Sequence, residues 1–144
     1  MMINAIMVFF DNGTLFYDAI FEKINIQGEL VAGFVGALSQ FGLKIFPGEE
    51  LEDIVFTRHH ICLTKHVIGG KEIIIMFVHD PKMSHVDIKK ITTQLFMELK
   101  GKYASTLKQD LIDRTKMIFA LDAFLEKLLV NERRPEKMLP RTRL

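Results

Sequence analysis

Residues 29–46 read Glu29-Leu30-Val31-Ala32-Gly33-Phe34-Val35-Gly36-Ala37-Leu38-Ser39-Gln40-Phe41-Gly42-Leu43-Lys44-Ile45-Phe46, and the period of this stretch decides the fold. Leu30, Phe34, Leu38, Phe41 and Ile45 recur at intervals of three and four, the spacing of one face of an α-helix. Gly33, Gly36 and Gly42 each weaken that helix by about 1 kcal/mol relative to alanine. An offsetting gain is expected from close approach of the helix backbone to a sheet. Pro47-Gly48 stops the helix.

Outward from this helix the pattern has the two-residue period or continuous apolar runs of strands. Upstream, Ile3–Phe10 is apolar and β-prone, Asp11-Asn12-Gly13 supplies the positive φ of a tight turn, and Thr14–Glu22 alternates. Leu15, Tyr17, Ala19 and Phe21 share one face of that second run, with Asp18 and Glu22 on the other. Downstream, Leu51 to Val78 divides into three strands, with a break near His59-His60 and a hairpin turn at Gly69-Gly70. The run Glu72–Val78 is apolar without alternation, as a central strand covered on both faces requires.

Asp80-Pro81 closes that strand. Ser84 is placed to cap a helix, with Asp87 three residues on completing a box-like pair, and Ile88, Ile91, Leu95 and Leu99 form its stripe. Gly101 to Ser105 is expected to loosen the chain before a last helix from about Leu107 to Val130. The apolar positions of that helix are Leu111, Ile118, Leu121, Leu125 and Leu128, widened by Phe119, Phe124 and Leu129. The fold class is therefore α+β, order ββ-α-βββ-α-α: a five-stranded antiparallel sheet flanked by helices on both faces. Strands two and three, separated by a helix, need not be neighbours.

The chain has 144 residues, 49% hydrophobic and 26% charged, enough for one domain with its own core. The expected division is a domain over 1–130 and a basic, disordered tail over 131–144. The formal net charge is +1, but Arg133, Arg134, Lys137, Arg141 and Arg143 against Glu132 and Glu136 make the tail positive and the body slightly negative. Such a body is no nucleic-acid binder by bulk electrostatics. The tail could touch an anionic membrane surface, although a solvated terminus is the simpler reading. Met1-Met2-Ile3-Asn4 lacks the basic start of a signal peptide, and no run of about 18 apolar residues could span a bilayer. The expected location is cytoplasmic, at most peripheral to a membrane.

Candidate chemistry is sparse. His59, His60, His66, His79 and His85 lie in one stretch with Cys62, but neighbours on a strand point to opposite faces. At most one of His59 and His60 could therefore join His66 across a hairpin, and a lone cysteine lacks the paired spacing of structural zinc sites. A partly exposed strand face explains the histidines more simply. Cys62, between Ile61 and Leu63, reads as a small buried residue rather than a nucleophile. Gly69-Gly70-Lys71 lacks the spacing of a phosphate loop, and no nucleophile-elbow or dinucleotide fingerprint occurs. Glu49, Glu50, Glu52 and Asp53 form a solvated acidic loop that could also meet a basic partner. No catalytic residue, metal ligand or cofactor is assigned.

The segment Met2-Ile3-Asn4-Ala5-Ile6-Met7-Val8, the turn glycine Gly13, the return Leu15-Phe16-Tyr17, the helix Glu29–Leu38 and the three-strand meander after it together resemble the longin family, over residues 2–130. The resemblance rests on element order and apolar pattern, with no catalytic signature. It implies a longin/profilin-like fold and a non-catalytic module that pairs with another longin or roadblock domain, as a homo- or heterodimer. A small GTPase or a membrane-trafficking-type complex is the implied wider partner. The chain departs from the SNARE members, having no long heptad segment or membrane anchor after the domain, and is more similar to free-standing, sedlin-like or archaeal members.

Residues 29–46 are apolar nearly all round, so covering the sheet with one face leaves another in need of a cover. The strand that begins at Asp53 is an expected sheet edge. In the family such a helix and edge supply dimer contacts, which singles out Phe34, Val35, Leu38, Val55 and Thr57; the competing reading is that the helix residues merely fill the core. A runner-up from another class is a small-molecule-sensing domain of the profilin or PAS-like kind, with a pocket between sheet and helices. An enzyme ranks below both.

Overall fold

The computed structural model describes residues 3–22, 28–108, 114–132 and 138–140. Its elements are β1 (Ile3–Phe10), β2 (Leu15–Ile20), α1 (Gly28–Ile45), β3 (Asp53–Val55), β4 (His60–Ile68), β5 (Lys71–His79), α2 (His85–Lys108) and α3 (Arg114–Asn131). The five strands form one antiparallel sheet in the order β2-β1-β5-β4-β3. The expected architecture is the one observed, and β2 and β3 end on opposite edges.

Turn chemistry sets the register. Gly13 at φ 90° closes the first hairpin, where its N–H donates to the Phe10 carbonyl (2.9 Å) and Asn12 Oδ1 accepts from the Thr14 N–H (3.0 Å). Gly69 and Gly70, at φ 57° and 80°, close the β4–β5 hairpin. Two successive positive φ values match the right-handed twist of the flanking strands. β5 lies at the centre between β1 and β4, and Ile73–His79 are all buried. Its unbroken apolar run follows from having helices over both faces.

Each face has its own core. On one side Ile6, Val8, Tyr17, Ile75 and Phe77 pack with Ile88, Ile91, Leu95 and Leu99 of α2 and with Leu121, Leu125 and Leu128 of α3. On the other, Ala5, Met7, Phe9, Ile74 and Met76 pack with Val35 of α1. The cap of α2 forms as expected: Ser84 Oγ accepts from the Asp87 N–H at 3.2 Å, and the Ser84 carbonyl accepts from Ile88 N–H.

Three expectations need correction. Gly101 does not loosen the chain; α2 runs through it to Lys108, because Tyr103 and Ala104 continue to pack on the core. The last helix begins at Arg114 rather than near Leu107, and Phe119 does not widen its buried stripe but is exposed. Leu111 lies outside the described residues. The third concerns the glycines. A Cβ added at Gly33 or Gly42 would meet nothing within 4 Å, and one at Gly36 would meet only the Asp11 carbonyl at 3.9 Å. None of the three is a point of tight helix–sheet approach.

Of the tail, Met138–Pro140 is described: Met138 packs against the core, and the Leu139 N–H donates to the Ile20 carbonyl at 2.7 Å. This segment runs beside the outer edge of β2. Arg133, Arg134, Lys137, Arg141 and Arg143 lie outside the described residues.

Candidate protein-binding surface

The helix stripe that marked the fold points away from the sheet. α1 turns Val31 and Val35 onto Ala5, Met7 and Phe9, while Leu30, Phe34, Phe41 and Ile45 are exposed. Leu43 and Phe46 are exposed as well. Leu30, Phe34, Ala37 and Phe41 are spaced four, three and four residues apart, the seam along which one helix packs against another. Gly33 and Ala37 stand among these large side chains, both exposed. The three-and-four spacing marks the free face, and the inward face is the narrower one of Val31 and Val35.

At the edge opposite β2 the sheet ends openly in β3. β3 has three residues against nine in β4 and, among the described residues, pairs with β4 alone. The Glu52 carbonyl accepts from Leu63 N–H at 2.7 Å, and the Phe56 N–H donates to the His59 carbonyl at 2.8 Å. Antiparallel pairing alternates inward and outward along a strand. With Glu52 and Phe56 turned inward, the backbone groups of Asp53, Val55 and Thr57 are directed outward. Among the described residues no strand lies on that side of β3. Val55 is 66% exposed, and Phe56 and Thr57 are exposed too.

Of the five residues singled out from the sequence, Phe34, Val55 and Thr57 are therefore on the surface and Leu38 is half-buried at its margin. Val35 is 1% exposed and belongs to the core under α1. Sequence reasoning missed Leu30, Phe41, Ile45 and Phe46 as surface residues; all four were visible as members of an apolar helix too greasy for one sheet face.

The histidines do not converge on an ion. His66 sits on β4, the strand that also carries His60, so neither His59 nor His60 meets it across a turn. It stacks on Phe96 (4.3 Å between centroids), and its Nε2 lies 3.0 Å from Thr64 Oγ1. His60 instead faces His79, edge to face at 5.6 Å. His79 is 3% exposed, not on a partly open strand face, and its Nδ1 donates to the Asp80 carbonyl at 2.8 Å. Burial lowers the pKa of both His66 and His79; for His79, nearby His60 and His85 add to the effect. Among the described residues no three His, Cys, Asp or Glu side chains are grouped to hold a metal.

Cys62 is half-buried on β4 opposite Asp53. Burial, then the carboxylates of Asp53 and Glu52, push its thiol up to about 11. A thiol so far above neutrality is a poor nucleophile. Glu49, Glu50, Glu52 and Asp53 are exposed, as expected of the acidic loop.

No protein-family profile matches the chain, and no curated protein does. Among solved structures it is similar to MglB of Myxococcus xanthus, with a TM-score of 0.57 and 15% identity, covering 72% of this chain and 85% of that one. The gliding protein MglB of Thermus thermophilus is also similar, with a TM-score of 0.49 and 13% identity over 72% of this chain and 73% of that chain. At this identity the likeness to the Myxococcus protein is one of fold. The five-stranded antiparallel sheet with three helices is the fold the chain shares with that protein.

Proposed function

We propose that the chain is a non-catalytic protein-interaction module that dimerises through the outer face of α1 and the free edge of β3, and that the dimer serves a small GTPase or a membrane-trafficking-type complex as scaffold or regulator. The observation that carries this is the exposed apolar stripe on α1, with the open edge of β3 as a second feature. An apolar patch of this kind marks an interaction site, and a free strand edge offers main-chain hydrogen bonds to a second strand. The same two features on two copies are self-complementary, as a two-fold interface requires. The GTPase reading rests on the resemblance to longin and roadblock domains. Among the described residues no helix is long and apolar enough to cross a membrane, which is compatible with a cytoplasmic module at most peripheral to a bilayer.

Light scattering on the purified chain, followed by pull-down with a panel of small GTPases in both nucleotide states, tests the proposal. A dimer that Phe34→Asp converts to monomer, and that retains a GTPase in one state, is the expected result. A strict monomer that captures none would overturn it.

A further inference from the structure

At the edge of the sheet opposite β3, the C-terminal segment Met138–Pro140 lies against β2. Just beyond β2 the Phe21 N–H donates to the Asn4 carbonyl of β1 at 2.9 Å. Backbone groups alternate in direction along a strand, so those of Ile20 turn away from β1. There the Ile20 carbonyl accepts from the Leu139 N–H at 2.7 Å. Met138 packs against the core that the sheet shares with α2 and α3, whereas Leu139 is 37% exposed.

A main-chain hydrogen bond for affinity and a side-chain anchor for specificity are how an extended peptide adds to a sheet edge. The sequence of the segment suits that role. A residue before proline favours extended backbone, which keeps Leu139 in the shape of a strand. Pro140 has no N–H to turn outward, so the seated segment is a poor template for a further strand. Lys137 and Arg141 flank the segment in the sequence, while Asp18 lies in β2 and Glu22 just beyond it, so the charges are of opposite sign. So short a segment binds weakly from free solution. A short tether raises its effective concentration to the millimolar range, which holds even a weak ligand in place.

We propose that the outer edge of β2 is a peptide-docking site whose resident ligand is the chain's own Met138–Pro140. Seated, the segment keeps this edge shut to other chains. Displaced, it leaves an edge that takes the same segment from a second copy. Exchange of an identical element needs no new complementarity, because the fit already exists within one chain. Neither α1 nor β3 takes part, so this site and the proposed dimer can fail separately.

Fluorescence anisotropy with a labelled peptide of residues 132–144, titrated with the full chain, tests the assignment. Met138→Asp in the chain removes the anchor and empties the seat. Leu139→Pro in the chain, at an exposed position, deletes only the donor and gives a second unlatched form whose folding is not in question. The expected result is saturable binding of the peptide to either variant with a Kd of about 1 mM or tighter, and at least tenfold weaker binding to the parent. A peptide carrying Leu139→Pro keeps every charge but should bind the variants at least tenfold more weakly. Amide exchange on the parent reads the seat directly: Leu139 should be protected, and Met138→Asp should abolish that protection. An unprotected Leu139 amide, no binding to either variant, equal binding to parent and variants, or equal binding of the two peptides would overturn the proposal.

Discussion

Phe34 and Val35, consecutive on α1, meet different surroundings: the phenylalanine is 60% exposed and the valine is 1% exposed in the core over β1. Substitutions at the two positions should therefore separate association from folding. Phe34→Asp should leave stability within about 0.5 kcal/mol, as surface changes generally do, while raising the dimer dissociation constant at least tenfold. Val35→Ala should cost about 1–2 kcal/mol of stability and leave association of the folded chain in place. Urea melts beside sedimentation of both variants check this; a Phe34→Asp protein that associates normally removes α1 from the interface.

Gly33 gives the same helix an independent test. Nothing lies within 4 Å of a Cβ placed there, so Gly33→Ala should stabilise an isolated protomer by up to about 1 kcal/mol through helix propensity. If a second helix crosses near Gly33, the added methyl should weaken association at the same time. A stabilised protomer with unaltered association would place the crossing elsewhere on the stripe.

These two residues also show how far the sequence could be read. Element order, the two glycine turns, the Ser84 cap and the central position of β5 were all legible, because each depends on local chemistry or on strand period. The direction of α1 was not. A helix with apolar residues on most of its circumference has no amphipathic contrast, so Leu30, Phe34, Phe41 and Ile45 could as well have faced the sheet. The end of α2 was misread for a related reason. One glycine inside a helix costs about as much as one good core contact returns, and Tyr103 and Ala104 supply such contacts from across the fold.

Tyr17 on β2 donates a 2.7 Å hydrogen bond to Asp122 on α3, from a ring that is otherwise buried. The bond ties the edge of the sheet to the last helix across 105 residues of chain. Tyr17→Phe keeps the ring and removes the donor, so it should cost about 1.5–3 kcal/mol, the range for a hydrogen bond to a charged group. A double-mutant cycle with Asp122→Ala, which removes the acceptor, should return a coupling of about 1 kcal/mol. Additive effects would mean the bond contributes nothing in solution.

Stability should fall in mild acid. His66 and His79 have folded pKa values below the ordinary 6.5, mainly through burial. The folded chain therefore binds fewer protons than the unfolded one once the pH drops towards that value. The sign follows: stability is full above about pH 7 and declines as pH falls through 6.5 and below. Around His79, the charge of His60 and His85 opposes protonation and that of Asp53 favours it. His79→Asn keeps a donor for the Asp80 carbonyl without a titrating ring. Urea midpoints at about pH 7.5 and 5.5 should converge in this variant relative to the parent; an undiminished difference would place the proton uptake elsewhere.

Cys62 should be slow to alkylate although it is only half-buried. With its thiol moved from 9.0 to about 11, the thiolate fraction at neutral pH is lower by about a hundredfold than for an ordinary cysteine, and the thiolate is the reacting species. Burial is the largest cause and the Asp53 carboxylate the next. Asp53→Asn should therefore accelerate modification by iodoacetamide at constant pH without unfolding the chain, since the residue is exposed at an edge strand. The pH–rate profile separates the causes: a lower apparent pKa in the variant identifies the carboxylate field, whereas a faster rate at unchanged pKa identifies easier access. A profile with the ordinary thiol value in the parent would show that the pocket beside Cys62 is wetter than its lining implies.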